Sequence, residues 1–137
     1  MKINLRLVRN ATVLFQYAGK SFLIDPMLAD KEAYPGFDGT VNSHLRIPLI
    51  GLPVDLKTVT DVDAVIATHL HPDHWDMAAT EKLPKEKPVY VQDEHDARYL
   101  MENGFSDVRI MEEENQADEV AVSYTHLRAH ETSAHLV

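Results

Sequence analysis

Ala64-Val65-Ile66-Ala67-Thr68-His69-Leu70-His71-Pro72-Asp73-His74 is the stretch whose reading decides the fold of this chain. Its first five residues form a short continuous apolar run, the pattern of a strand covered on both faces. Side chains alternate along an extended strand, so in a continuation of it His69 and His71 point to one side while Leu70 points back toward the core. Pro72 then turns the chain, and Asp73 and His74 fall where a short helix is expected to begin, over Trp75 to Leu83. Three imidazoles and a carboxylate gathered at the carboxyl end of a strand make a ligand set for divalent metal. Two ions about 3.5 to 4 Å apart can clamp and activate a single water. The competing reading is a chance meeting of polar residues at a strand end; four fixed positions after a buried strand and before a helix favour the ligand set.

Downstream, Val89-Tyr90-Val91 reads as a second buried strand, and Asp93 to Asn103 as a helix with Ala97, Leu100 and Met101 as its apolar stripe and Gly104 closing it. Val108 to Met111 is a further strand, and the alternation of strands and helices predicts βαβ units in a parallel region. Upstream, Ile3 to Val8, Thr12 to Tyr17 and Ser21 to Ile24 are separated by Arg9-Asn10-Ala11 and Ala18-Gly19-Lys20. Apolar segments broken by turn residues at that interval predict an antiparallel meander. Asp25-Pro26 ends its third strand, because proline lacks the ladder donor. Met27 to Lys57 is punctuated by Pro35, Gly36, Gly39, Pro48, Gly51 and Pro53 and shows no sustained period. It reads as a long loop with one short helical turn, and loops of that length are often lids or substrate walls.

The chain has no cysteine, which excludes disulfides, thiolate zinc sites, iron-sulfur clusters and a cysteine nucleophile, and leaves His, Asp and Glu as the possible ligands. The 22 acidic against 13 basic residues give a formal charge of −9, which repels a phosphate backbone, so nucleic acid is not an expected partner. A small anionic substrate stays open, because bound cations reverse the local field. Charges interrupt the apolar residues of Met1-Lys2-Ile3-Asn4-Leu5-Arg6, unlike a signal peptide. No apolar run approaches the roughly 20 residues of a spanning helix. The expectation is a cytoplasmic protein with no membrane partner.

His69-Leu70-His71-Pro72-Asp73-His74 is similar to the His-x-His-x-Asp-His motif of the metallo-β-lactamase superfamily. The opening meander, Leu23-Ile24-Asp25-Pro26 and His74-Trp75-Asp76 resemble its branch of hydrolases akin to ascorbate-phosphate lactonases. The resemblance implies an α/β fold, the N-terminal half of an αββα sandwich, with a mixed sheet that joins an antiparallel N-terminal meander to a parallel βαβ region. It implies that His69 and His71 bind one metal and Asp73 and His74 a second, with Asp73 also orienting the attacking hydroxide. Two zinc ions are the expected cofactors of the full-length protein, with Mn or Fe as alternatives. A small-molecule ester, lactone or phosphoester is the expected substrate, hydrolysed through a metal-activated water. The family also uses a later histidine in each site and a later bridging aspartate.

Val122-Ser123-Tyr124-Thr125-His126-Leu127-Arg128-Ala129-His130-Glu131-Thr132 resembles one translated frame of a transposon-type sequencing adapter. Residues 1–121 are therefore expected to be a partial domain and residues 122–137 a non-native tail. On that reading His126 and His130 are not ligands despite their i, i+4 spacing, and neither is His135; the chain is expected to be truncated and inactive. The alternatives are a non-catalytic metal-binding fragment, and a di-iron oxidoreductase of the same fold. In that iron branch a glutamate usually stands where this chain has His71. Asp25 has two readings, an acceptor that orients a ligand imidazole or a strand-end residue capping the next turn. Asp76 is divided in the same way, with the helix N-terminal reading preferred. His44 is a pocket or a solvated loop residue, His95 an exposed helix N-terminal residue, and Glu112-Glu113-Glu114 a solvated turn.

Overall fold

A computed structural model describes residues 2–111 of the chain. The Glu112-Glu113-Glu114 run and the 122–137 tail with His126, His130 and His135 lie outside the described residues. Six strands form one sheet in sequence order: β1 (Asn4–Arg9), β2 (Thr12–Tyr17), β3 (Lys20–Ile24), β4 (Ala64–Ile66), β5 (Val89–Val91) and β6 (Val108–Ile110). The first three run antiparallel, and β3 to β6 pair in parallel. The β2–β3 turn places Ala18 and Gly19 at φ 51° and 76°, the two-residue hairpin whose twist matches its strands.

The register sorts the sheet into two apolar faces. One row runs Leu14, Leu23, Val65, Val89, Val108, and packs with Val59, Ala79, Leu83 and Leu100. Those four residues come from α1 (Leu56–Thr60), α2 (Met77–Lys82), the C-cap of α2, and α3 (Glu94–Glu102), so all the described helices lie on this face. Right-handed crossovers that always step the same way along a sheet produce this one-sided cover. The other face carries the rows Leu5, Phe15, Phe22, Ala64 and Leu7, Val13, Ile24, Ile66, Tyr90. Its cluster of Phe22, Ala64, Ile66, Tyr90 and Met111 includes no helix residue. At its β1 margin Leu5 and Leu7 are 65% and 66% exposed.

A bulge between Leu7 and Arg9 shifts the β1 register, so that Arg9 pairs with Thr12 and both turn onto the helix-covered face. There Arg9 is buried and donates to the carbonyls of Met27 (2.6 Å), Ala29 (2.8 Å) and Ile50 (2.9 Å). Burial pulls its pKa below the usual arginine value, against the opposing pull of the Asp76 and Asp30 charges. The long loop after β3 is thus strapped down at both ends. Within it Tyr34 and Ile47 form a two-bond antiparallel bridge, and Arg46 donates to the carbonyls of Glu32 and Ala33. A Cβ on Gly36 would strike the carbonyl oxygens of Ser43 and Leu45, which is why that position is glycine.

Element boundaries shift by a residue or two at several places, and three of the shifts have a visible cause. The strand expected through Thr68 stops at Ile66, because the Thr68 amide is taken by the Asp25 carboxylate rather than by a neighbouring strand. The helix expected from Trp75 begins at Met77, since Asp76 caps it by accepting from Ala79 N at 2.8 Å. The loop expected to run through Lys57 gives way to α1 at Leu56, a five-residue helix anchored by the fully buried Val59.

Two variants test these anchors. Arg9→Met should leave three carbonyls without their donor, and at roughly 1–3 kcal/mol for each buried unsatisfied group the loss should exceed about 3 kcal/mol in urea unfolding. A wild-type midpoint would show that the loop holds without the strap. Asp76 also accepts from Leu28 N (3.1 Å) and Ala29 N (2.9 Å), so it joins the loop to α2. Asp76→Ser keeps a capping oxygen, and Asp76→Ala removes it. The alanine variant should be less stable than the serine variant by about 1 kcal/mol, and hydrogen exchange at Leu28 and Ala29 should accelerate in both.

Candidate metal centre

The site forms where the meander meets the parallel half. Asp25 directly follows β3 and sits at φ 48°, a left-handed conformation that aspartate tolerates better than most residues, with its amide bonded to Ile66 O at 2.9 Å. Thr12 locks the backbone around it, donating to Asp25 O at 2.7 Å and accepting from Met27 N at 2.9 Å. The buried Asp25 carboxylate accepts from Thr68 N on Oδ1 (2.7 Å), and on Oδ2 meets the Thr68 hydroxyl (2.7 Å) and His74 Nδ1 (2.6 Å). Asp25 thus holds a ligand-candidate imidazole, the first of its two sequence readings.

Beyond β4 the chain makes a loop and turn. His74 N and Trp75 N both donate to His71 O at 2.8 Å, which folds Asp73 and His74 back over His69. One donor atom from each of His69, Asp73 and His74 lies within 4.8 Å of the others. The His69 and His74 rings are 3.8 Å apart between centroids, and His74 Nε2 is 3.6 Å from Asp73 Oδ2. His71 is exposed and lies outside that three-donor group, but its ring packs edge-on against His69 at 4.7 Å. The two rings keep company although the strand ends before them, and Leu70 packs half-buried against the core.

Burial lowers the pKa of His69 from the ordinary imidazole value, and the neighbouring His74 and His71 lower it further. Its ring is therefore neutral near pH 7, the form that ligates metal. Close-packed imidazoles with a half-exposed carboxylate and no thiolate suit zinc, manganese or iron, so the residues present fit the expected group.

Other candidates fall elsewhere. Asp76 caps α2 and braces the loop, the helix role preferred for it. His44 is exposed on the long loop, and His95 is exposed at the start of α3. Near it Asp93 caps that helix through Asp96 N at 2.9 Å, so the Asp93, His95 and Asp96 group has a structural task. Sequence reasoning passed over Thr12, Thr68 and Arg9. A threonine directly before His69, at the end of an apolar run, was the available signal for Thr68.

A family model described as Beta-lactamase superfamily domain matches residues 4–135. The UPF0173 protein YddR of Bacillus subtilis (strain 168) is 44% identical over 113 residues, 82% of this chain and 44% of that protein. An isothiocyanate hydrolase from Delia radicum gut bacteria superposes with a TM-score of 0.79 at 52% identity, covering 82% of this chain and 43% of that one. A possible metal-dependent hydrolase from Veillonella parvula DSM 2008 superposes with a TM-score of 0.76 at 42% identity, covering 81% and 42%. The chain thus spans less than half the length of these relatives. Its mixed sheet, with the histidine and aspartate cluster beyond β4, is the N-terminal half of a metallo-β-lactamase fold, and the chain belongs to the β-lactamase superfamily domain family.

Proposed function

We propose that the chain is the N-terminal, ligand-bearing part of a metal-dependent hydrolase of small molecules. The gathering of His69, Asp73 and His74 donor atoms within 4.8 Å carries this reading. His69 and His71 would hold one ion, and Asp73 and His74 the other, with zinc the expected metal and Mn or Fe the alternatives. When bound, such ions make water acidic enough to attack near neutral pH and polarise the bond to be broken. Asp73, whose side chain is 39% exposed, is the carboxylate with solvent access, which supports a role in orienting an attacking water. Asp25, at 5%, is too enclosed to meet substrate and serves instead to fix His74. The braced long loop presents Phe37, His44 and Leu45 to solvent as material for a substrate wall.

The substrate is a small molecule with an electrophilic carbon or phosphorus: an ester, lactone or phosphoester, or, from the 52% identity to an isothiocyanate hydrolase, a heterocumulene carbon. Nucleic acid is disfavoured by the net charge of −9, and no described helix is long and apolar enough to cross a membrane. A cytoplasmic site of action is the reading consistent with these features. We read this chain as carrying only part of the ligand set, since it spans less than half of its relatives and, on the assignment proposed above, its motif supplies two ligands for each ion. A stable zinc site generally takes three or four.

Calorimetric zinc titration of this chain and of the full-length protein, followed by lactone, phosphodiester and benzyl isothiocyanate assays, tests the reading. The short chain should bind zinc weakly without turnover, while the full-length protein should show zinc-dependent hydrolysis that His69→Ala abolishes. Tight binding and turnover by the short chain would refute the truncation. No zinc-dependent turnover of any substrate by the full-length protein would count against hydrolysis. In the full-length protein Asp25→Asn should weaken zinc binding by roughly 10–100-fold, the usual effect of losing a carboxylate behind a ligand histidine.

A further inference from the structure

We propose that Thr68 is a positioning residue that relays the Asp25 carboxylate to His69 and fixes its ring in the Nδ1–H tautomer, leaving Nε2 as the atom free to bind metal. The consequence for metal binding rests on the metal-site reading; the tautomer itself belongs to the metal-free chain.

Thr68 Oγ1 lies 2.7 Å from Asp25 Oδ2 and 3.2 Å from His69 Nδ1. A hydroxyl has one proton to donate and lone pairs to accept with, whereas an ionised carboxylate only accepts. At 2.7 Å the Thr68 proton must lie on the line to Asp25, because otherwise two oxygens would face each other with none between them. Thr68 Oγ1 can then only accept from His69, so the contact at Nδ1 requires that nitrogen to carry the proton.

The hydroxyl is not free to turn away from this task. Thr68 N also donates to Asp25 Oδ1 at 2.7 Å, so amide and hydroxyl grip the two carboxylate oxygens together. The β-branched side chain is stiff about χ1, which preserves the grip. His74 Nδ1 reaches the same Oδ2 directly at 2.6 Å. One carboxylate therefore meets two rings at Nδ1, His74 by contact and His69 through a hydroxyl. A neutral histidine side chain in water prefers the Nε2–H form, so His69 needs a partner to hold the reverse.

Long-range nitrogen–proton NMR of the uniformly 15N-labelled, zinc-free 137-residue chain reads ring tautomers directly. Wild type and Thr68→Ser should show His69 as Nδ1–H, and Thr68→Val should shift it toward Nε2–H while His74 stays Nδ1–H. Zinc titration of the same proteins should show Thr68→Val weakened about 10-fold, with Thr68→Ser close to wild type. A wild-type His69 protonated on Nε2, or an unchanged tautomer in Thr68→Val, would overturn the relay. If Thr68→Val does not fold, the wild-type spectrum still decides. An Nδ1–H His69 in the 137-residue chain, together with a full-length protein that takes up no zinc, would leave the relay standing and sink the metal reading.

Discussion

The Asp25 carboxylate holds together two parts of the chain that have no short turn between them. A parallel pair cannot be closed by a hairpin, and β3 and β4 share a register of only three residue pairs. That seam is stapled at both ends by aspartates. At the carboxyl end Asp25 takes the Thr68 amide and hydroxyl; at the other, Asp63 takes the Ser21 amide at 2.7 Å and its hydroxyl at 3.0 Å. The Ser21 amide holds Asp63 below its ordinary carboxylate pKa, so this staple is complete above that ordinary value and is lost as pH falls through the depressed one. The metal candidates hang from the first staple. Anything that loosens the seam displaces His74 with it, because His74 Nδ1 uses the same Asp25 oxygen as the Thr68 hydroxyl.

The long loop makes that arrangement rigid. Asp25 opens a segment whose polar backbone groups are almost all taken: Thr12 on Asp25 O and Met27 N, Arg9 on Met27 O and Ala29 O, Asp76 on Leu28 N and Ala29 N, and Lys82 on Leu28 O. Partners come from β1, β2 and α2, so the loop's first turn is held by three elements at once. Asp76 follows His74 by two residues. The same clasp that holds the loop therefore also limits the motion of the motif, and binding groups need such support from behind to keep their geometry.

The extended elements were legible because each has a local signature. Strand β2 coincides with the alternation from Thr12 to Tyr17, and Ala18-Gly19 marked the turn that follows it. The order of strands and helices after Ala64 made the parallel region and its site at the β4 end readable. Register was not readable, and with it went Arg9: only the bulge after Leu7 turns it inward. Helix α1, with two threonines and a valine in five residues, has little intrinsic helix propensity; its form follows from the burial of Val59, which is a tertiary effect. The motif histidines were identified from their spacing, but the strand alternation invoked to aim them ends too early, and Asp25 and the fold of residues 71–75 aim them instead.

Electrostatics gives the cluster a direction. Three imidazoles lie within a few ångströms, and the burial of His69 together with its histidine neighbours disfavours its protonation. Two carboxylates, Asp25 and Asp73, face the same group from opposite sides of His74. The lone pairs gathered there belong to imidazole and carboxylate together. One divalent cation can satisfy several such ligands at once, where each proton satisfies one. The face that the described helices leave open carries an apolar row from Leu7 to Tyr90, which Arg109 continues on β6. A sheet buries both faces only with a layer on each side. Among the described residues the helices supply one of those layers, and they do so on the face that carries Leu23, Val65 and Val89.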